Sequence, residues 1–284
     1  MNDADRASRD ASLTLGLTLP TDTVLYLLLP LHAAAFGVSF AEAGVLLAAN
    51  RLVRIFGYGW VARSYERNGP RQACVVAVLG AAASSLGYAL LPGIWWLLAA
   101  RLVWGLSFAV MNIATQALAT ALPEGAARRS GRSRAIIACG PMVGLIAGAL
   151  IAEAWGPHVL FLLLAGVALL GLPFALRLPA GRGEPVRGAP RFGLPARIDV
   201  WSFVQGMALD GVFVLGVSVL ASAALGGAVG GVAVQGAALA AGAALALRYA
   251  SEIALGPAGG CWRSGMAPCG CWCCCPPPRR RGWR

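Results

Sequence analysis

The chain has 284 residues, of which 58% are hydrophobic and only 12% are charged. Soluble globular domains average about 45–50% apolar and 25% charged residues, so this composition excludes an ordinary soluble domain and indicates a polytopic membrane protein. All 23 basic residues are arginine and the net charge is +11, but the arginines are spread among short polar segments. This distribution argues against nucleic acid as a partner and favours the lipid bilayer.

Long apolar runs divide the chain into eight predicted transmembrane helices. A helix needs about 20 mainly apolar residues to cross the hydrocarbon, where every backbone amide and carbonyl must be paired. The segments are 13–36, 40–61, 72–91, 94–121, 135–154, 158–177, 198–224 and 232–255. Ser39 and Glu42 form a capping-box pattern at the start of the second helix, and Pro92-Gly93 predicts the turn between the third and fourth.

Arginines occur only in alternate connections between these segments. Basic residues are retained in cytoplasmic loops, so the alternation predicts which side each connection faces. The arginines are Arg6 and Arg9 at the N-terminus, Arg63, Arg67 and Arg71 in the second loop, Arg128, Arg129, Arg132 and Arg134 in the fourth, and Arg177, Arg182, Arg187, Arg191 and Arg197 in the sixth. We expect a multi-pass protein of the cell (inner) membrane with a cytoplasmic N-terminus, residues 1–12.

The longest predicted connection, residues 178–197, is rich in Gly, Pro and Arg, which is typical of a flexible linker. It separates six helices at 13–177 from a second segment at 198–260. Asp22-Thr-Val-Leu-Tyr-Leu in the first helix is similar to Asp210-Gly-Val-Phe-Val-Leu in the seventh. We therefore expect an all-α membrane protein with a six-helix N-terminal bundle and the first two helices of a second repeat.

Seven ionisable residues lie within the predicted spans: Asp22, Arg51, Arg54, Arg101, Asp210, Arg248 and Glu252. A charge near the middle of a membrane helix costs about 2.5–3.5 kcal/mol on insertion scales, so each should face a partner, a cavity or an interface. One interpretation is a polar pathway between helices, formed by Asp22, Asn50, Arg51, Arg101, Asp210 and Glu252. The alternatives are structural pairs between helices, and arginines near span ends that extend to the interface.

Small residues share a face on two of the predicted helices. Arg101, Gly105 and Ala109 follow at intervals of four, so another helix could approach the arginine. In the fifth helix, Gly140, Gly144 and Gly148 form a second face, and such faces permit close helix packing. Pro141 lies beside this face, removes one helical hydrogen bond and can bend the segment.

These motifs together resemble the major facilitator superfamily, whose members are secondary transporters with twelve helices in two halves. The loop after the second helix is similar to the family pattern G-x-L-x-D-R-x-G-R-R through Glu66, Arg67, Gly69 and Arg71, although Ala62 replaces the first glycine and Pro70 follows Gly69. Arg101 with Gly105 resembles the family's helix-four pattern, and Gly140-Pro141 with Gly144 resembles the helix-five pattern associated with antiporters. The resemblance implies two halves that rock about a central site.

The same resemblance implies roles for particular residues. Glu66 and Arg67 would help to latch one state at the cytoplasmic face, together with Gly69 and Arg71. Arg101 would be linked to proton or substrate coupling, and Asp22 would line the cavity.

The tail, residues 261–284, breaks the pattern because it is rich in Cys, Pro and Arg. Its cysteines could bind zinc or copper or be palmitoylated, but they lack the paired CxxC spacing of metal sites. Back-translation from the third base of the Cys261 codon, with G or C at free positions and one T, gives a peptide that begins Leu-Ala-Glu-Arg-Tyr-Gly. This peptide is similar to Glu66-Arg67-Asn-Gly69, so we favour a frameshift near residue 260 and expect a disordered tail without a metal site.

The sequence thus favours a proton-linked exporter of a small molecule that needs no cofactor. A second hypothesis is a truncated membrane fragment that does not transport, because alternating access needs two halves. A metal-binding tail on a membrane anchor is a remote alternative. A membrane enzyme is disfavoured, since the two histidines, His32 and His158, lie at opposite ends of apolar runs and no set of nucleophile and base is present.

Overall fold

The computed structural model describes residues 2–183 and 237–263, together with isolated positions between 201 and 221. The described residues form helices and connecting turns, without a β-strand. The helices are α1 (Asp3–Thr18), α2 (Pro20–Leu31), a short 3₁₀ helix (Ala33–Phe36), α3 (Phe40–Leu90), α4 (Ile94–Thr120), α5 (Ala126–Trp155), α6 (Pro157–Leu169), α7 (Leu172–Leu176) and α8 (Ala237–Arg263).

Six helical segments of the described chain are long and apolar enough to cross a membrane: Asp3–Leu31, Phe56–Leu90, Ile94–Thr120, Ala126–Trp155, Pro157–Leu176 and Ala238–Leu255. The protein is therefore an all-helical, multi-pass membrane protein, as the composition predicts. The prediction of eight spans extends beyond these six, because the seventh predicted segment lies outside the described residues except for isolated positions, and the second and third predicted segments are joined within α3.

Helix α3 is a hairpin of two arms, residues 40–68 and 70–90, and its two arms meet at Gly69. Gly69 has φ 75° and ψ 170°, a conformation that glycine tolerates and other residues rarely adopt, and Pro70 follows it. Contacts along α4 show that the arms are antiparallel, because residue numbers rise along the first arm and fall along the second. The contacts are Arg101 with Leu46 and Gly105 with Asn50, then Ala100 with Gly87 and Ser107 with Gly80.

Several boundaries differ from the apolarity pattern. The predicted loop at residues 62–71 is helical as far as Asn68, so the connection is reduced to the joint at Gly69. Helix α1 begins at Asp3 rather than residue 13, and α5 begins at Ala126 rather than 135. Helix α8 continues to Arg263, eight residues past the predicted end of the eighth span at 255. The remainder of the tail, 264–284, lies outside the described residues.

The polar extensions of α1 and α5 are stabilised by each other. Ser12 Oγ on α1 donates to Ser133 Oγ on α5 at 2.7 Å, and Arg128 pairs with Asp5 at 3.3 Å. Asp5 also lies in the first turn of α1, where a negative charge interacts favourably with the helix dipole. Because these extensions are polar, the apolar pattern alone does not predict them.

Two predicted local signals are present as expected. The capping box at the start of α3 is complete, with Ser39 Oγ accepting from the Glu42 amide and the Glu42 carboxylate accepting from the Ser39 amide. The turn predicted between the third and fourth helices lies at Pro92-Gly93, between the end of α3 at Leu90 and the start of α4 at Ile94.

The bundle interior consists of two apolar clusters with a polar layer between them. One cluster includes the later part of α2 and the start of α4, and the other includes α1 and the later part of α4. Where α2, the two arms of α3 and α4 pass from one cluster to the other, each carries a buried polar residue. These residues are Thr21, Asp22, Asn50, Ser84, Ser85 and Arg101. A set of buried polar groups thus lies at the level where α2, α3 and α4 cross.

The outer surface is apolar, which is the reverse of a soluble protein. Large exposed side chains include Phe56, Leu90, Val143, Leu163 and Leu170. Tryptophans occur near two helix ends, with Trp95 and Trp96 at the start of α4 and Trp155 at the end of α5, as expected for side chains at the membrane interface.

The glycine face of α5 packs directly against α1 and α2. A Cβ on Gly140 would lie 1.8 Å from the carbonyl oxygen of Gly16, and one on Gly144 would lie 2.7 Å from Pro20 Cβ. A Cβ on Gly148 would lie 3.0 Å from Val24 Cγ2. Helix α5 continues through the buried Pro141 as a single element. Glycine is therefore required at Gly140 because the two backbones approach so closely.

We expect Gly140→Ala to lower the thermal unfolding midpoint of the detergent-solubilised protein, because the methyl group would force α1 and α5 apart. Inserting a methyl group into a tightly packed interior typically costs about 1–3 kcal/mol. Gly166→Ala is the matched control, since no atom lies within 4 Å of a Cβ at that position on α6. Equal midpoints for the two variants would contradict the close approach of α1 and α5.

Candidate functional site

Arg101 is the centre of the polar layer. Its side chain is fully buried and its Nη1 donates to Asp22 Oδ1 at 2.5 Å, whereas the Asp22 side chain keeps 11% of its surface exposed. The pair joins α4 to α2. Because a lone charge is costly in this environment, each residue makes the burial of the other tolerable, and the carboxylate alone reaches open space.

Further contacts fix the geometry of this pair. Asn50 Nδ2 donates to the same Asp22 oxygen at 3.1 Å, and Arg101 Nε donates to the backbone oxygen of Leu46 at 3.3 Å. The Tyr26 ring lies 5.1 Å from Arg101 Cζ, and its hydroxyl donates to the Leu47 carbonyl at 3.1 Å. The first arm of α3 thus connects to both members of the pair.

The buried layer also contains polar atoms that have no hydrogen-bond partner among the described residues. They are Arg101 Nη2, Asn50 Oδ1, Tyr88 Oη and Trp104 Nε1. Buried polar groups are normally paired, and exceptions often mark sites that rearrange or bind something. Around the ion pair, the layer therefore has hydrogen-bond donors and acceptors that are able to take a new partner.

A cavity of about 290 Å³ opens beside Asp22. Its walls come from the α1–α2 segment, the first arm of α3, α4, α5 and α8. Of the six predicted pathway residues, Asp22, Arg51 and Glu252 line this cavity, and Asn50 and Arg101 lie behind Asp22. Asp210 lies outside the described residues. Sequence positions as far apart as 22 and 252 therefore face one space.

Glu252 is paired within its own helix, since Arg248 Nε lies 3.8 Å from Glu252 Oε1. Both side chains are partly exposed and both line the cavity. An exposed pair of this kind contributes little to stability, so its charges remain accessible from the cavity.

Among the cavity-wall residues that sequence reasoning missed are Tyr26, Phe108, Arg134 and Tyr249. Arg134 was expected in a loop, but it lies in the third turn of α5. A helical pattern could have found it, because Arg134, Ile137, Ala138 and Leu145 share one face and all line the cavity. The aromatic residues gave no such signal, because rings are common in apolar helices.

The predicted latch residues lie at the joint of α3. A Cβ on Gly69 would lie 1.6 Å from the Gly181 carbonyl oxygen, and Arg71 Nε donates to the Leu178 carbonyl at 2.8 Å. The Gly183 amide donates to the Glu66 carbonyl at 3.2 Å, while Arg67 is exposed. The joint thus holds residues 178–183, the start of the predicted linker, through the Arg71 side chain and backbone contacts. Residues 184–197 lie outside the described part.

Within the described residues, no group of three or more His, Cys, Asp or Glu side chains is arranged to hold a metal ion. The cysteines of the tail are outside that part of the chain.

Removal of the Asp22 charge should destabilise the protein strongly, because Arg101 would be left buried without its counter-charge. Breaking a buried pair in this way costs about 3–5 kcal/mol, so we expect Asp22→Asn to lower the free energy of unfolding in detergent by that order. The double variant Asp22→Asn/Arg101→Gln should lose less than the sum of the single variants. Additive losses in this double-mutant cycle would show that the pair does not couple α2 to α4.

Comparison with known proteins agrees with this architecture. The model of the family described as the Major Facilitator Superfamily matches residues 11–229, which covers more than half of the chain and includes the ion pair, the joint of α3 and the glycine face of α5. No curated protein matches the sequence. The matched family is one of transporters and not of enzymes, and such a protein lies in a lipid bilayer. The chain belongs to the major facilitator superfamily.

Proposed function

We propose that the protein is a proton-coupled secondary transporter that exports a small molecule through the cavity beside Asp22. One observation carries the proposal: the cavity wall contains a carboxylate, Asp22, that is paired with Arg101, and Arg101 is fully buried between the helices. The Asp22 carboxylate faces the cavity on one side and Arg101 in the bundle interior on the other. A proton bound at Asp22 can therefore change how α2 and α4 are held together.

The coupling follows from the chemistry of the pair. Protonation of Asp22 converts the carboxylate to a neutral acid, so Arg101 loses its counter-charge and the attraction between α2 and α4 falls. Asn50 and Arg101 would then be free to change hydrogen-bond partners, for which the layer has unpaired donors and acceptors. Proton binding and release at Asp22 would in this way favour different arrangements of the helices.

The transport cycle is alternating access, in which the two halves of such proteins rock about a central site. We propose that Glu66, Arg67, Gly69 and Arg71 stabilise one state at the cytoplasmic face. Close packing at Gly105, Gly140, Gly144 and Gly148 holds the helices of this half together, so that they move as one body. The protein lies in the inner membrane of the cell with its N-terminus in the cytoplasm, as the positions of the arginines favour.

A frameshift near residue 260 forms part of the proposal. It is supported by the peptide that back-translation gives from the Cys261 codon onward, which is similar to Glu66-Arg67-Asn-Gly69. If the eight predicted helices are all that is made, the product is a non-transporting fragment, because the second half supplies the other side of the site.

Asp22→Asn should abolish flux driven by a pH gradient in proteoliposomes while exchange without a gradient continues. The reason is that the amide cannot take up and release a proton, although it keeps the shape of the side chain. Flux is measured with a panel of radiolabelled anionic, cationic and neutral small molecules. Asp10→Asn is the matched control, since Asp10 is also a buried acid of the first span that contacts an arginine, Arg9, at 3.0 Å but does not line the cavity. Gradient-driven flux in Asp22→Asn would exclude this residue as the coupling site.

The nucleotide sequence around codon 260 tests the frameshift. We expect a second frame that encodes Leu-Ala-Glu-Arg or a close variant, followed by four further apolar helices. Flux by the frame-restored protein but not by the 284-residue chain would support the fragment hypothesis, and equal flux would exclude it. If no frame contains such a continuation, the frameshift proposal fails.

A further inference from the structure

The cavity beside Asp22 has an excess of positive charge. Four arginines line it, Arg51, Arg54, Arg134 and Arg248, against the two carboxylates of Asp22 and Glu252. Among the described residues the wall therefore has two more positive than negative charges. The Asp22 carboxylate is already engaged by Arg101, so its negative charge is the one most fully compensated.

Three of these arginines are associated with aromatic rings of the same cavity wall. Arg54 Cζ lies 4.6 Å from the centre of the Phe108 ring, Arg51 Cζ lies 5.8 Å from that of Tyr26, and Arg248 Cζ lies 5.7 Å from that of Tyr249. A ring attracts a guanidinium through its electron-rich face without cancelling the positive charge. The rings can therefore help to orient the three arginines.

The charges come from elements on different parts of the wall. Arg51 and Arg54 lie on the first arm of α3, Arg134 lies on α5, and Arg248 lies on α8. Helix α8 packs closely on α5, since a Cβ on Gly242 would lie 2.8 Å from the Leu145 carbonyl oxygen. A molecule in the cavity would therefore lie between the arginine pair of α3 and the arginines of α5 and α8.

A cavity with this charge inside a membrane protein attracts anions and repels cations, because interactions between charges are strong where water is limited. The rest of the wall is apolar, with Leu19, Ile137, Leu145 and Leu245 among its residues. Guanidinium groups bind carboxylates and similar oxyanions through paired hydrogen bonds. The arginines of the wall match an acidic group, and the apolar residues match an apolar body. One molecule that has both would fit the whole wall.

We propose that the substrate is a small organic anion with an apolar body, whose acidic group is bound by Arg54 and Arg134. The inference rests on the proposed function in that it takes this cavity as the transport site. An anion entering the site supplies the negative charge that the described wall lacks, and its body contacts the apolar side chains and ring edges.

Equilibrium binding of matched probes tests the proposal on the full chain in nanodiscs of phosphatidylcholine, which carry no net charge. The probes are radiolabelled benzoate and benzylamine, which are similar in shape and opposite in charge. We expect benzoate to bind more tightly than benzylamine, and Arg54→Gln or Arg134→Gln to weaken benzoate binding about tenfold or more, as expected for a lost hydrogen bond to a charged group. Unfolding midpoints of each variant confirm that it is folded.

Arg132→Gln is the matched control for Arg134→Gln, because it removes the same charge from an exposed position on the same helix that does not line the cavity. We expect it to change benzoate binding less than twofold. Tighter binding of benzylamine, equal weakening by Arg132→Gln and Arg134→Gln, or binding of neither probe up to its solubility limit would each overturn the proposal.

The experiment separates this inference from the proposed function. Benzoate binding that depends on Arg54 and Arg134, without gradient-driven flux, would leave the anion site standing and contradict the transport cycle. Proton-driven flux of benzylamine, without flux of benzoate, would support the transport cycle and overturn the anion site.

Discussion

The rest of the structure depends on the ion pair between Arg101 and Asp22. A membrane helix can hold a buried arginine only where a counter-charge reaches it, and here that counter-charge is on α2, 79 residues away along the chain. Asn50 contacts the same carboxylate from the first arm of α3. Three helices are therefore held at one level by one set of charges, and the apolar clusters pack above and below it.

The two kinds of helix contact in the bundle, the glycine face and the polar layer, differ in how much displacement of the helices they allow. The glycine face of α5 meets α1 and α2 with no space for a methyl group at Gly140, so the position of these backbones is fixed by steric contact. The polar layer is held by hydrogen bonds and has donors and acceptors to spare. Close packing transmits a displacement, whereas a layer with alternative partners can absorb one. The bundle thus combines a rigid contact with an adaptable one.

Local patterns predicted much of this fold. The capping box at Ser39, the Pro92-Gly93 turn and the membrane spans follow from residue types within a few positions of each other. The start of α1 at Asp3 and of α5 at Ala126 could not be found in that way, because polar residues there are stabilised by contacts such as that between Ser12 and Ser133. The helical state of residues 62–68 in α3 was missed for a related reason, since a polar, arginine-containing stretch resembles a loop even when it is helical.

In the candidate site, too, some features follow from local sequence patterns and others depend on contacts between distant helices. Asp22, Asn50 and Arg101 were predicted because a polar residue in an apolar helix is conspicuous, but their pairing depends on how distant helices cross. Arg134 was assigned to a loop because its neighbours are polar. Tyr26, Phe108 and Tyr249 could not be recognised, since an aromatic residue in a membrane helix has many roles and only its position over a guanidinium shows which one it has here.

The joint at Gly69 has a mechanical consequence. Two membrane helices that meet at a single residue have no slack between them, so the arms of α3 cannot slide past each other along the membrane normal as separately tethered helices can. Any tilt of one arm is passed to the other and, through the contact of Gly69 with Gly181, to the chain that leaves the bundle. The two arms of α3 and the chain at Gly181 therefore move together about Gly69, a residue that has no side chain.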